Sequence, residues 1–320
     1  MSNMARGLPP LVAYGVMLAA VDVYAGNRLQ SLDPFAVAAI SFSLAAAYFL
    51  IQETGRNGVR SVLRPMARHR HDVIAINIVT ALTWLTLLYA LKYLEPAIVN
   101  VIALAIGPAL VALAGPLMRK GPPVLRTEIA VSLGVLALIG LLMWGSASGL
   151  SGLGTLDSEH AALGLALTIA CGLGCTGNVI YSKRLSDAGF TPSSSLAVRY
   201  FGTIAVSWVF VLTGGDPMLG AAFLPAAVIA LIGIALPNYL SQVGIKHVEP
   251  ITAALVCTLS PIFAFLLQLF DSRLTPSPLT FAGLLGITAL VTLGVVVRAR
   301  HERRPPPAVL PAPEDAAGVA

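Results

Sequence analysis

The chain has 320 residues, of which 57% are hydrophobic and 11% charged, with a mean hydropathy of +0.83; soluble proteins average about 25% charged residues. These values exclude an ordinary soluble domain and place the chain in a bilayer. The net charge of +5 and pI near 9.3 call for no nucleic acid, because the basic residues lie between apolar segments, where they set membrane orientation.

In chain order, a window of about 20 residues predicts five spans in the first half. They cover roughly 9 to 27, 33 to 51, 72 to 91, 96 to 118 and 127 to 145. "GSASGLSGLGTLDSEH", from Gly145 to His160, then reads as a Gly/Ser-rich linker. Five more spans follow, roughly 160 to 182, 195 to 213, 222 to 242, 250 to 270 and 278 to 298. The Pro- and Ala-rich tail, residues 301–320, has no apolar face and is expected to be disordered on the cytoplasmic side. The first span lacks a small-residue cleavage site and is read as its own insertion signal.

Alternate loops divide the Lys and Arg residues unequally. With both termini cytoplasmic, that side holds 16 of them, including the five arginines of "RNGVRSVLRPMARHRH", and the other side holds Arg28, Lys92 and Arg273. The arginine-rich segment is read as a topology-setting loop, with anionic-lipid binding as the alternative. Arg199 falls near the cytoplasmic end of the seventh span, where its stem could snorkel.

Two decapeptides point to duplication. "LKYLEPAIVN", from Leu91, and "IKHVEPITAA", from Ile245, share their layout, and "VDVYAGNRL" and "TGNVIYSKRL" align Arg28 with Arg184. The offsets are 154 and 156 residues. Each half carries an odd number of spans, so the copies enter the bilayer from opposite sides: residues 1–150 form one five-helix repeat and 151–300 its inverted counterpart. The expected fold is an all-α integral membrane protein of ten transmembrane helices. Substrate sites in such repeats lie near the midplane, between the copies.

The Glu-Pro pairs have two readings. Proline at the first helical position and a carboxylate beside a helix N-terminus form a start signal. Alternatively Glu95 and Glu249 are gate residues that pair alternately with basic groups at the two mouths.

Polar residues inside spans are costly and become site candidates. Asp22 is the one acid clearly within a span, either a counter-ion for a substrate ammonium or a residue near a wet helix end. Asn77, Thr80 and Trp84 share a helical face. Asn100, Asn178, Asn238, Tyr239, Thr258 and Tyr24 complete the predicted substrate-binding set. For many of these residues the alternative reading is an interhelical hydrogen bond or an interface aromatic. Pro108, Pro237 and Pro261 are the predicted hinges, because each removes a backbone hydrogen bond within a span.

The ten spans, the basic loop after the second, "LLYALKYLEPAIVNVIALAIGPALVALAGPLM" and its partner "YLSQVGIKHVEPITAALVCTLSPIFAFLLQLF" resemble the drug/metabolite transporter superfamily, in its ten-helix EamA-type branch. The resemblance covers roughly residues 10 to 298 and implies export of amino acids, other metabolites or drugs. The fourth span has no charged central residue, so a proton-coupling carboxylate of smaller relatives has no counterpart there.

An enzyme is not expected. The histidines His69, His71, His160, His247 and His301 and the lysines Lys92, Lys120, Lys183 and Lys246 all fall in connections or at span edges, which disfavours an intramembrane Ser-His dyad, a His-held metal or a Schiff base. Cys171, Cys175 and Cys257 sit in apolar runs and read as small buried hydrophobes. No phosphate-binding G-x-x-x-x-G-K-[ST] sequence occurs, so nucleotide hydrolysis through such a loop is excluded. The expectation is therefore a cofactor-free and metal-free secondary transporter of the bacterial inner membrane, a monomer sufficing. It exports amino acids, neutral and aromatic ones included; the alternatives are an exporter of drugs or amphipathic metabolites, or a passive channel.

Overall fold

A computed structural model describes residues 3–118, 126–154, 157–214, 218–245, 247 and 256–302. Among the described residues the regular structure is all helical, without strands. The helices are α1 (Asn3–Arg28), α2 (Pro34–Asn57), α3 (Arg60–Arg68), α4 (Arg70–Tyr93), α5 (Pro96–Met118), α6 (Arg126–Ala147) and α7 (Ser158–Asp187). After these come α8 (Pro192–Val198), α9 (Phe201–Thr213), α10 (Leu219–Val228), a π-helical segment (Ile229–Ala235), α11 (Leu236–Ile245), α12 (Ser260–Gln268) and α13 (Pro278–Glu302).

Among the described residues, eight helices are long and apolar enough to cross a membrane. They match the predicted spans apart from the fourth and ninth. The fourth corresponds to α5, where Pro96–Gly107 is a shorter apolar helix, and the ninth falls partly on 248–255, outside the described residues. So many long apolar helices make this a multi-pass membrane protein.

Proline repeatedly starts helices here. Asp33 caps α2 by accepting from the Ala36 N–H at 2.9 Å, with Pro34 next. Thr191 precedes Pro192 and accepts from Ser194 N–H, and Ser277 precedes Pro278 and accepts from Thr280 N–H, both at 3.1 Å. Pro96 likewise opens α5. These positions lose no intrahelical hydrogen bond to proline and have the backbone angle it imposes.

Three predicted spans are not uniform helices. The seventh breaks between α8 and α9, at Arg199 and Tyr200. The eighth contains the π-helical segment, and the Leu236 N–H reaches back five residues to the Leu231 carbonyl. Pro237 follows immediately and cannot donate to the carbonyl four residues earlier, so a wider turn takes up the mismatch. Pro261 stands in the first turn of α12 rather than inside a longer helix, after a turn at Thr258 and Leu259. Pro108 lies within α5. The basic segment, predicted as a loop, contains the short helix α3.

Two large hydrophobic cores lie in the bundle. One is built chiefly from α2, α4 and α8 to α10, around Phe42, Ile76, Leu88 and Val198. The other is built from α5, α6, α12 and α13, around Ile102, Leu142, Phe265 and Leu284. α1 contributes to both, through Val21 and Ala25 to the first and Ala19 to the second. α7 also touches both, through Leu185 in the first and Leu165 and Ile169 beside the second. Glycines let α7 approach its neighbours closely. A Cβ on Gly174 would meet the Thr83 side chain and, at 2.8 Å, its backbone nitrogen; one on Gly172 would meet Ile106 and, at 2.9 Å, the Ala103 carbonyl. Only residues without a side chain permit that spacing.

Candidate functional site

The helix break at Arg199 is held from α4. Asn77 donates to the Val198 carbonyl and accepts from the Gly202 N–H, both at 2.8 Å. One side-chain amide therefore satisfies backbone groups on both sides of the break, as a buried break requires. The break turns Arg199 toward α4 and α7. Its Nη2 donates to Asn178 Oδ1 at 2.6 Å and its Nε to Thr80 Oγ1 at 3.4 Å. Thr80 donates to the same Asn178 oxygen at 2.7 Å, while Asn178 Nδ2 donates to Thr83 Oγ1 at 2.8 Å and to the Val79 carbonyl at 3.4 Å. Among the described residues, no acid forms an ion pair with Arg199.

A second polar centre lies between α1 and α5. Asp22 is buried, and Asn100 Nδ2 donates to its Oδ2 at 2.6 Å. The Asn100 Oδ1 is also buried and has no hydrogen-bond partner among the described residues. α7 packs against α4, which carries Thr80, and against α5, which carries Asn100. Asn178 touches Arg199 directly.

The predicted candidates divide accordingly. Asn77, Thr80 and Asn178 come together around Arg199, and Asn100 and Asp22 meet each other. Trp84 instead packs edge-on against Phe42, with centroids 5.1 Å apart, beside the first core. Tyr24 lies under Arg28, 5.4 Å from its guanidinium carbon. Asn238 donates to the Ile234 carbonyl of its own helix. Tyr239 is 64% exposed and lines an apolar groove with Tyr48, Leu44 and Leu231. Thr258 pairs with Thr292 at 3.3 Å. Arg199 is the residue that the list of candidates missed; an arginine inside an apolar span was the available signal.

The gate candidate Glu95 is 1% exposed. Its carboxylate accepts from Gly152 N–H at 2.5 Å, Gln268 Nε2 at 2.9 Å and Thr280 Oγ1 at 3.2 Å. Gln268 also accepts from Ala97 N–H at 3.2 Å, satisfying the start of α5. Burial raises the Glu95 carboxyl above its ordinary value, and the three hydrogen bonds oppose that rise only in part. Nearby, Arg273 binds Asp271 through Nε and Nη2 and the Gly26 carbonyl through Nη1, and Asn27 donates to Asp271 at 3.2 Å. Burial pushes Asp271 up, but the Arg273 and Asn27 hydrogen bonds and the guanidinium charge outweigh it, so Asp271 stays below its ordinary value. The predicted partner gate, Glu249, lies outside the described residues.

A bundle of apolar helices with a buried Asp22 and a half-buried, hydrogen-bonded Arg199 is a multi-pass membrane protein that keeps polar groups among its helices. Residues 162–297 match the family model described as the EamA-like transporter family, which bears out the resemblance read from the sequence. The match covers less than half of the chain, and the apolar helical bundle around it is consistent with that transporter family. One crystal structure, described only as that of a protein, shares the fold with a TM-score of 0.61 at 18% identity, covering 93% of this chain and 100% of its own. No curated protein matches the chain in sequence.

Proposed function

We propose that the protein is a secondary carrier that exports amino acids or similar small metabolites across a bacterial inner membrane by alternating access. The observation that carries this reading is the pair of polar centres at Asp22 and Arg199, flanking α7 where the two hydrophobic cores meet. Charges cost about 2.5 to 3.5 kcal/mol each at the centre of a span on insertion scales, and here they are kept where two packed bodies could move relative to one another. Amides and hydroxyls beside single opposite charges suit a small amphipathic solute better than a multiply charged phosphate.

In this reading ten helices form two inverted five-helix repeats, residues 1–150 and 151–300, with both termini cytoplasmic and the Glu95 end outside. Asn77, Thr80, Asn100 and Asn178 serve the central site with Asp22; Trp84, Tyr24, Asn238, Tyr239 and Thr258 are more distant candidates. Pro108, Pro237 and Pro261 mark the elements that bend, and Glu95 and Glu249 lie at the two mouths. Counterflow of radiolabelled amino acids into proteoliposomes tests the proposal. Saturable, trans-stimulated uptake of neutral or aromatic amino acids is expected. Uptake of a cationic drug with none of the amino acids overturns the substrate, and linear uptake without counterflow overturns the carrier.

A further inference from the structure

We propose that α3, with the end of α2, is a docking surface for anionic phospholipids of the surrounding membrane, whose phosphate head groups it takes through Arg56, Arg60, Arg64 and Arg68. This goes beyond the transport reading and is independent of the substrate.

The segment expected to be a loop is a fixed helix. Gly58, at a φ of 76°, turns the chain out of α2, and its N–H donates to the Thr54 carbonyl at 2.9 Å; a positive φ of this kind favours glycine. The Ser61 hydroxyl donates to the Gly58 carbonyl at 2.7 Å, and the buried Glu53 accepts from Asn57 at 2.9 Å and from Ser61 at 3.4 Å. Val62 is buried in the first core and Met66 packs beside it, so that α3 is held against α2, α4 and α8. Because α3 joins two apolar helices of spanning length, it lies at the bilayer surface, the cytoplasmic one on the orientation proposed above.

The helix sorts its residues by face. Arg60, Arg64 and Arg68 follow four-residue spacing and form one stripe, with steps of about 6 Å along the axis. All three are exposed, and so is Arg56. Val59 and Leu63, 57% and 59% exposed, lie between that stripe and the side that carries Val62 and Met66. Uncovered aliphatics beside arginines suit a helix that rests its apolar edge in the head-group region and its cations among the phosphates.

The nearby acids do not cancel this charge. Glu53 is turned to Asn57 and Ser61, and Asp72 pairs with Arg184 at 3.6 Å. Among the described residues, none of the four arginines forms an ion pair. A leaflet containing anionic lipid supplies the missing counter-ions where the helix already lies, and a guanidinium takes a phosphate through two parallel hydrogen bonds.

The test is native mass spectrometry of the delipidated full chain in detergent, titrated with phosphatidylglycerol or phosphatidylcholine, and with glycerol 3-phosphate as a soluble head group. Wild type is expected to bind phosphatidylglycerol at least about ten-fold more tightly than phosphatidylcholine, with the preference shrinking at high salt. Arg60→Gln, Arg64→Gln and Arg68→Gln should each weaken phosphatidylglycerol about five-fold, at about 1 kcal/mol per arginine near a charged surface, with phosphatidylcholine unchanged. Arg126→Gln combined with Arg300→Gln removes two charges elsewhere and should leave the preference intact. Equal binding of the two lipids by wild type, or a preference that survives high salt, overturns the proposal even if no glutamine variant folds. An undiminished preference in the three α3 variants, or the same loss in the Arg126 and Arg300 control, also overturns it. Competition by glycerol 3-phosphate at the concentration of the lipid would make this a site for free phosphate and overturn membrane docking.

Discussion

Two buried carboxylates in this protein have opposite surroundings. Glu95 is met by three neutral donors from three segments distant in sequence, and the amide that serves it also satisfies the start of α5. Among the described residues, Asp22 has Asn100, whose remaining oxygen has no partner, and Arg199 hydrogen-bonds only the neutral Thr80 and Asn178. A saturated polar cluster stabilises a packing arrangement. An unsaturated one, retained at a cost in an apolar bundle, is where a ligand supplies what the protein lacks. On the proposed reading the contrast separates a structural staple, whose acid precedes an apolar run, from a substrate site, whose acid lies within one.

The largest expected effect lies at the staple. Glu95→Ala leaves the Gly152 N–H, the Gln268 amide and the Thr280 hydroxyl without their acceptor, and should cost about 3 kcal/mol of stability, seen as a lower unfolding midpoint in detergent. A Glu95→Ala protein as stable as wild type would remove the distinction drawn here. Next comes Asn178→Ala, which frees Arg199 and Thr80 together. Its transport should fall about ten-fold, mainly through a raised KM, for a loss of about 1.4 kcal/mol of binding, with membrane insertion unchanged.

A smaller effect concerns pH. The folded state holds the Glu95 proton more tightly than the unfolded chain, so the contribution of Glu95 to stability should fall as pH rises through the range above its ordinary value of 4.5. Glu95→Gln should flatten that part of the profile. Asp271 has the opposite sign: its stabilisation is present above the ordinary value of 3.8 and is lost as pH falls below it. Melting curves of Glu95→Gln and Asp271→Asn against pH should therefore depart from wild type in opposite directions. The smallest effect is at Tyr239, exposed on an apolar groove, where Tyr239→Ala should change stability and transport by less than about 0.5 kcal/mol.

Much of the fold was legible because a bilayer reduces it to length and hydropathy: each of the eight observed spans overlaps a predicted one. The breaks were less legible. The interruption at Arg199 depends on Asn77, more than a hundred residues earlier, and the π-helical segment before Pro237 is a local accommodation that periodicity does not register. At the site, Asn77, Thr80 and Asn178 stood out as polar residues in apolar spans. Trp84 stood out equally and packs on Phe42, because an aromatic on a polar stripe reads alike whether it lines a cavity or a core. Arg199 was set aside as a residue that snorkels, and only the helix break shows it turned toward Asn178. The donors to Glu95 come from residues 152, 268 and 280, which no local reading connects to it.

The most direct test of the account is counterflow of radiolabelled neutral and aromatic amino acids into proteoliposomes carrying wild type, Asp22→Asn or Glu95→Gln protein. The account predicts saturable, trans-stimulated uptake by wild type, at least about ten-fold less through Asp22→Asn, and near-normal uptake through Glu95→Gln. Absence of amino-acid counterflow in wild type, or an Asp22→Asn protein that transports as well as wild type, would contradict it.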